Sequence, residues 1–216
     1  MSGLLNKTNL IQYFEKGIKK NSQQKIGTEH EKFILDQSSL LPLKYNEPNG
    51  IKDIFLELIK LGWKPITEGE NNIIGLVLNN QSISLEPAGQ FELSGASLDN
   101  IHQTCEEITN HLQQMKKIAS DYKFILLGIG VEPKLGLQDF TLMPKDRYSI
   151  MKDYMPTVGK HGQDMMQRTC STQVNLDYCS EEDMIKKFRV LLSLESIGTA
   201  IFANSPFSEG ELTNYK

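Results

Sequence analysis

Apolar side chains recur every three or four positions in several stretches of the chain, which predicts amphipathic helices. In the clearest stretch, residues 101–118, the apolar positions are Ile101, Cys105, Ile108, Leu112, Met115 and Ile118. The same spacing predicts further helices over residues 7–20, 51–61, 146–154 and 181–203. We expect the helix at 146–154 to stop before Pro156, because proline lacks the amide hydrogen that an interior helical position needs. The helix at 181–203 is apolar on all sides from Phe188 onward, which is typical of a buried helix.

Other stretches are predicted to be β-strands, from alternation of apolar and polar residues or from a short apolar run. They cover residues 25–35, 73–78, 82–86, 90–93, 123–131 and 169–178. Asn79 and Asn80 separate the second and third stretches and predict a hairpin turn. Strands grouped in hairpins and separated by long helices are typical of the α+β class. We therefore predict an antiparallel sheet with helices that cover one face.

The composition is that of a globular domain. The chain has 216 residues, of which 39% are hydrophobic and 23% charged, and its formal net charge is −4. The charges are interspersed, without a basic run or clustered aromatic residues, which argues against a nucleic-acid-binding surface. The longest apolar stretch, residues 124–131, is too short to cross a membrane. We therefore expect neither a nucleic-acid nor a membrane partner.

The cysteines and the first residues bear on the cellular compartment. Cys105, Cys170 and Cys179 are odd in number and form no CxxC pair, which argues against a disulfide framework or a structural zinc site. The first twenty residues contain no apolar segment of signal-peptide length. Together these features predict a cytoplasmic protein.

Acidic side chains share one face of the predicted strands. In the segment GTEHEKF, Glu29 and Glu31 point the same way, because side chains alternate with a period of two. In the segment SISLEPAGQFELSG, Glu86 continues the polar face of one strand and Glu92 lies on the polar face of the next. A third polar face, in RTCSTQVNLDY, is formed by Ser171, Gln173, Asn175 and Asp177.

These polar faces permit two interpretations. Each strand alone could expose its polar side to water, as half-buried strands commonly do. Glutamate is, however, unfavourable in strands, and two carboxylates about 4 Å apart repel by about 4 kcal/mol at an effective dielectric of about 20. Divalent cations bound through carboxylate oxygens would relieve this repulsion, and Mg²⁺ combines a few protein ligands with substrate phosphates. Spacing along the chain does not show whether the strands converge.

Several other kinds of site are excluded by their missing motifs. The chain contains no GxxxxGK[ST] phosphate-binding loop, no HExxH zinc motif and no GxSxG nucleophile motif. The segment LGIGVEP has two of the dinucleotide-binding glycines but carries Pro133 where the third belongs. Five of the eight methionines lie within residues 143–166, which favours soft packing beneath a substrate loop over a sulfur-ligand site.

Six segments in order resemble glutamate–cysteine ligases of the type found in plants and many proteobacteria. They are GTEHEKF, SLEPAGQFELSG, HQTC, MPKDRYSIMKDYMP, DMMQRTCSTQVNLDY and FANSPFSEG. The resemblance extends from about residue 27 to residue 210 and implies the N-terminal portion, over residues 1–216, of a single catalytic domain. It also implies a curved antiparallel sheet that forms a glutamine-synthetase-like active-site funnel, with helices on its outer face. The funnel would be incomplete in this chain.

The resemblance implies roles for ten residues. Those implied as Mg²⁺ ligands, or close neighbours of them, are Glu29, Glu31, Glu86, Glu92 and Gln173, although some relatives have a histidine at the position of Gln173. Those implied as substrate-binding are Arg147, Tyr148, Gln167, Arg168 and Asn175. Arg147 and Tyr148 would form the cysteine end of the pocket, and Gln167 and Arg168 would face the amino-acid site.

The implied reaction is the first step of glutathione synthesis. ATP phosphorylates the γ-carboxylate of L-glutamate, and the amine of L-cysteine then displaces phosphate. The partners are thus ATP, glutamate and cysteine, with Mg²⁺ as cofactor and no covalent enzyme nucleophile. Two alternatives stay open: a related carboxylate–amine ligase with another amine acceptor, and a non-catalytic homologue that binds metal or nucleotide. Family members continue past the FANSPF segment into basic residues, so we expect residues 1–216 alone to be inactive.

Overall fold

The structure is a computed structural model that describes residues 5–69 and 72–213. The helices, in chain order, are α1 (Lys7–Glu15), α2 (Ile51–Lys60), α3 (Ile101–Tyr122), α4 (Asp146–Val158), α5 (Gly162–Arg168) and α6 (Glu181–Phe202). The strands are β1 (Ile26–Asp36), β2 (Lys64–Glu68), β3 (Asn72–Leu78), β4 (Gln81–Leu85), β5 (Phe91–Ser94), β6 (Phe124–Leu127), β7 (Thr172–Leu176), β8 (Phe207–Ser208) and β9 (Glu211–Leu212).

Seven strands form one sheet in which every pair is antiparallel. The order is β2-β3-β4-β5-β1-β6, and β7 also pairs with β1. The neighbour of β1 on that side therefore changes along its length, from β7 at residues 26–30 to β6 at residues 33–36. The predicted α+β class and antiparallel sheet are confirmed.

The hairpin between β3 and β4 turns at the predicted dipeptide. Asn79 and Asn80 both have positive φ, 49° and 66°, which asparagine tolerates better than most residues. The strand β2 was not predicted, and it contains Pro65, a residue that is unfavourable inside a sheet. The proline is compatible with β2 because this strand lies at the edge of the sheet and, among the described strands, pairs with β3 alone.

The main core lies on one face of the sheet, beneath α2 and α3. Its fully buried members include Ile54, Phe55 and Leu58 of α2 and Met115 of α3. The sheet contributes alternate residues to this core, namely Ile34, Leu76, Ile83, Leu85, Phe91 and Leu93. Because side chains alternate, the residues between these apolar positions point to the opposite face.

The predicted end of α4 is wrong. The helix continues through Pro156 to Val158. A proline at this position cannot donate to the carbonyl of Lys152 four residues earlier. That carbonyl instead accepts a hydrogen bond from Gln163 Nε2 at 3.0 Å, so the helix continues without an unpaired acceptor.

The prediction that α6 is largely buried is also wrong. Within the described part of the chain, no residue of this helix is buried. Phe188 is 63% exposed and Ile201 is 70% exposed. The apolar composition correctly indicated a helix without a polar side, but burial requires a neighbour, and periodicity carries no information about neighbours.

His111 of α3 supplies a pH-dependent contribution to stability. It stacks on Phe91 with a ring-centroid distance of 6.3 Å, and its Nδ1 is buried without a hydrogen-bond partner in the described structure. Burial, reinforced by Lys32 and His30, lowers the pKa of His111 from 6.5 to about 4. The unfolded chain therefore binds more protons than the folded chain between these two values, and stability falls as the pH falls through this window.

We predict that His111→Leu removes this dependence. Between pH 7.5 and pH 5 the unfolding free energy of the unmodified protein should fall by about 2 kcal/mol more than that of the variant. Urea denaturation at the two pH values measures the difference. His102→Leu, at an exposed position of the same helix, is the matched control and should behave as the unmodified protein. Equal pH dependence in all three proteins would contradict the assignment.

Candidate active site

The strand register places three glutamates on the sheet face opposite the main core. Glu31 of β1 lies directly across from Glu92 of β5, and Glu29 lies across from Ser94 on one side and Gln173 of β7 on the other. Residues directly opposite in an antiparallel pair share a face, with Cα atoms about 4.5 to 5.5 Å apart. The two facing carboxylates therefore form a like-charge pair, which destabilises the sheet unless something compensates.

Glu86 joins this group from the turn between β4 and β5. Its backbone amide donates to the carbonyl of Gln90 at 2.9 Å, which continues the ladder between the two strands by one step. Glu31 and Glu86 line one cavity of about 460 Å³, a volume sufficient for a small ligand. The other lining residues are Pro87, Gln90, Met151, Met165, Met166, Thr169, Ser171 and Gln173. Three of the clustered methionines thus line the cavity.

Local donors hold most of these carboxylates in place. Glu92, only 9% exposed, accepts hydrogen bonds from the hydroxyls of Ser84 at 2.9 Å and Ser94 at 2.6 Å. Glu31 accepts from the backbone amide of Ser171 at 2.7 Å. These bonds fix the orientation of both facing carboxylates without a cation.

The same holds at the β1–β7 pair. Glu29 accepts a hydrogen bond from Asn175 Nδ2 at 2.8 Å. Gln173 Nε2 donates to Ser171 Oγ at 3.1 Å. Ser171 is also the residue whose backbone amide donates to Glu31. Glu29, Glu31, Glu92, Gln173 and Asn175 consequently lie on one connected polar face.

Burial and repulsion raise the pKa of two of these carboxylates, Glu31 and Glu86. The pKa of Glu31 is raised, first by desolvation and then by the charges of Glu92 and Glu29, although hydrogen bonds from Ser171 oppose the shift. Desolvation and the charge of Glu92 likewise raise the pKa of Glu86, against the opposing charges of Lys145 and Arg147. Groups that bind protons more tightly for this reason also gain from a bound cation.

The donor set suits Mg²⁺. Among the residues that the structure describes, no three histidine, cysteine, aspartate or glutamate side chains are close enough together to hold a metal ion as they stand. Mg²⁺ commonly uses only one or two carboxylates and completes its shell with water and substrate phosphates. The facing carboxylates of Glu31 and Glu92 meet this smaller requirement. Glu86 lies close enough to both for their charges to raise its pKa.

Positive charge approaches the acidic face from the start of α4. Arg147 Nη2 lies 4.0 Å from Glu86 Oε1. The guanidinium also donates to the hydroxyl of Tyr148 at 3.2 Å and lies 5.0 Å from the centre of its ring. Arg147 is largely exposed and lies beside Glu86, which lines the cavity.

Tyr148 lies in the core. Its side chain is 1% exposed, and its hydroxyl donates to the carbonyl of Leu85. Burial is the first cause that raises the pKa of Tyr148 to about 12. In this structure Tyr148 therefore packs against Arg147 and accepts its hydrogen bond. Direct contact of Tyr148 with a substrate stays a prediction.

Arg168 and Gln167 occupy the end of α5, each 3% exposed. The Arg168 guanidinium binds Asp164 Oδ1 at 2.9 Å, Glu209 Oε1 at 3.2 Å and Ser208 Oγ at 2.9 Å. It lines a second cavity with His161 and Phe207, away from the one that Glu31 and Glu86 line. The structure thus does not bring Arg168 to the carboxylates, and the substrate-binding roles of Arg168 and Gln167 stay predictions.

Two residues of structural importance at the site were missed in the sequence. Gln90 is 2% exposed, accepts from the amide of Ala88, and donates to the carbonyls of Met166 at 3.0 Å and Thr169 at 2.9 Å. It thereby joins the β4–β5 turn to the approach of β7. Lys145, just before α4, donates to the carbonyl of Leu85. Neither contact could be predicted from periodicity, because these hydrogen bonds go to backbone carbonyls of residues distant in sequence.

Comparison with known proteins identifies relatives over the whole chain. The model of glutamate–cysteine ligase family 2 (GCS2) matches residues 25–216. The chain is 52% identical over 216 residues to glutamate–cysteine ligase A, chloroplastic, of Oryza sativa subsp. japonica. It is 51% identical over 215 residues to the chloroplastic glutamate–cysteine ligase of Nicotiana tabacum and 51% identical over 211 residues to that of Arabidopsis thaliana.

These alignments cover nearly all of this chain but less than half of each relative. They include 100%, 98% and 96% of the chain, and 43%, 40% and 39% of the respective relatives. The relatives are named as chloroplastic, which contradicts the expectation of a cytoplasmic protein. Unpaired cysteines indicate reducing conditions, and this property does not identify one compartment. Among the described residues, no helix is long and apolar enough to cross a membrane.

We predict that Glu31→Gln stabilises the metal-free protein, because it removes one charge from the Glu31–Glu92 pair. The expected gain in unfolding free energy at pH 7 is about 0.5 to 1 kcal/mol in EDTA. Added Mg²⁺ should stabilise the unmodified protein more than the variant. Urea denaturation with and without Mg²⁺ measures both effects. Glu106→Gln, at an exposed position on α3, is the control. A destabilised variant in EDTA, or equal gains with Mg²⁺, would contradict this interpretation.

Proposed function

Because the chain belongs to glutamate–cysteine ligase family 2, we propose that it is part of an enzyme that joins the γ-carboxylate of glutamate to the amine of cysteine at the expense of ATP. The observation that carries the proposal is the acidic face, where Glu31 and Glu92 face each other and Glu86 lines the adjoining cavity. We further propose that the sheet forms part of a glutamine-synthetase-like funnel. The chain spans about two fifths of its curated relatives, so the complete reaction is proposed for the full-length protein.

The chemistry requires a site that tolerates concentrated negative charge. In the proposed reaction the γ-carboxylate of glutamate attacks the terminal phosphorus of ATP, and ADP leaves. The amine of cysteine then attacks the acyl carbon, an amide bond forms, phosphate leaves and the amine loses a proton. Bound Mg²⁺ would neutralise charge on the phosphates during phosphoryl transfer. The side chains that would bind it, or lie next to those that bind it, are Glu29, Glu31, Glu86, Glu92 and Gln173.

The remaining side chains bind and orient the substrates. Arg147, exposed and 4.0 Å from Glu86, can receive a substrate carboxylate through its planar pair of donors. Asn175 already donates to Glu29 and would direct that carboxylate toward the cavity. Met151 and Met165 supply an adaptable apolar wall for the amino-acid substrate. Orientation of this kind lowers the barrier because the reacting groups no longer have to find each other in solution.

We predict that the full-length protein consumes ATP when glutamate and cysteine are both present with Mg²⁺. The assay should compare cysteine with a panel of other amines and measure both phosphate release and the dipeptide product. Preference for cysteine supports the proposal, whereas preference for another amine would identify a different carboxylate–amine ligase. Absence of turnover with every amine would leave a non-catalytic binding protein. Residues 1–216, assayed alongside, are expected to yield no product.

We predict that Glu29→Gln and Glu86→Gln each reduce kcat of the full-length protein by at least about a hundredfold, because each removes a charge from the metal-binding face. The measurement is steady-state dipeptide formation at saturating substrates and millimolar Mg²⁺. Glu106→Gln on α3 should retain normal turnover. If both site variants turn over at near-normal rates at ordinary Mg²⁺ concentrations, neither carboxylate is an essential ligand.

A further inference from the structure

Lys145 connects the start of α4 to the end of β4. Its ammonium donates to the carbonyl of Leu85 at 2.7 Å and to the hydroxyl of Tyr148 at 3.1 Å, and lies 5.2 Å from the centre of the Tyr148 ring. Leu85 is the last residue of β4 and is fully buried. Tyr148 is buried in the same core. One ammonium thus joins two rigid, buried groups.

Lys145 and its partner Leu85 each lie close in sequence to a residue of the candidate site. Glu86 follows Leu85 directly, and Arg147 lies two residues after Lys145. The Arg147 guanidinium donates to the same Tyr148 hydroxyl that receives the Lys145 bond. Tyr148 in turn donates to the carbonyl of Leu85. Arg147 is therefore connected through the Tyr148 hydroxyl to the carbonyl of Leu85, the residue before Glu86, and the ammonium of Lys145 donates to both the hydroxyl and the carbonyl.

A neutral side chain would not reproduce this arrangement. A lysine ammonium has three donor hydrogens and no acceptor, which suits a position between a carbonyl and a hydroxyl. Bonds from a charged donor are about twice as strong as those between neutral groups. Its charge also interacts favourably with those of Glu86 and Glu92 and unfavourably with that of Arg147. A further hydrogen bond, from the backbone amide of Asp146 to Glu68 Oε1 at 2.9 Å, also stabilises the start of α4.

We propose that Lys145 is a positioning residue for the ligase reaction: it sets the separation between Arg147, which receives a substrate carboxylate, and Glu86, which holds the metal. The proposal rests on the proposed function. It assigns to Lys145 no contact with a substrate, because two of its three donor hydrogens are directed to Leu85 and Tyr148. Its effect on the reaction passes through Arg147.

The test is a double-mutant cycle in the full-length protein. Lys145→Met should lower kcat/KM by about 10- to 100-fold, since small displacements of a positioning group have effects of this size. Arg147→Met should lower it as well, and adding Lys145→Met to that background should cost less than about threefold. Lys145→Arg should restore part of the activity. Lys152→Met, at an exposed position of the same helix, should match the unmodified protein.

Three results would overturn the proposal: near-normal kcat/KM for Lys145→Met, additive losses in the double variant, or losses equal in Lys152→Met. If Lys145→Met fails to fold, Tyr148→Phe takes its place in the cycle, because it removes the shared hydroxyl and keeps the ring. The same expectations apply to it, so full additivity with Arg147→Met would again be decisive.

Amide hydrogen exchange separates a failure of this proposal from a failure of the proposed function. The amides of Glu86 and Tyr148 are bonded to the carbonyls of Gln90 and Lys145, and their exchange reports on the two ends that Lys145 joins. Lys145→Met should accelerate exchange at both amides by about tenfold or more, and Lys152→Met should not. Should the unmodified protein lack ligase turnover, the proposed function fails, and unchanged exchange in Lys145→Met would overturn the positioning role on its own.

Discussion

Mutual repulsion between Glu31 and Glu92 is the constraint around which the site is organised. Their positions follow from the β1–β5 register, so neither side chain can move to the other face without shifting a strand by one residue. The surrounding donors are accordingly hydroxyls and a backbone amide, provided by Ser84, Ser94 and Ser171. These donors stabilise charged oxygens while leaving their net charge unneutralised, so the face retains its attraction for cations.

The register also places the glutamates and the main core on opposite faces of the sheet. Residues that alternate with the glutamates, such as Ile83, Phe91 and Leu93, are buried beneath α2 and α3. A one-residue slip would place carboxylates in this core and expose the apolar side chains. The hydrophobic core therefore enforces the position of the acidic face, and the strand β1, paired with β5, β6 and β7, carries that constraint across the sheet.

Periodicity in the sequence predicted the elements that local spacing determines. It failed where contacts between residues distant in sequence determine the structure. The stripe of α3 and the Asn79–Asn80 turn could be predicted, because spacing and backbone preference determine them. The extension of α4 past Pro156 depends on a side chain in α5, and the exposure of α6 depends on what lies beside it. The helix α5 and the hairpin of β8 and β9 were too short to leave a periodic signal. Alternation alone placed Glu29 with Glu31, but bringing Glu92 opposite Glu31 required the strand order.

Two side chains of the same type lie in different surroundings at the candidate site. Arg147 and Arg168 are chemically identical, yet one is exposed beside Glu86 and the other is 3% exposed and bound to Asp164 and Glu209. A substrate that took over these donors of Arg168 would displace the half-buried Asp164 and the exposed Glu209. Leaving a buried charge unpaired costs about 3 to 5 kcal/mol. Arg147 faces no such cost, because its bond to the Tyr148 hydroxyl leaves most of its donors available. Accessibility of the donors, rather than the presence of an arginine, is therefore the reason that we propose the carboxylate-binding role for Arg147.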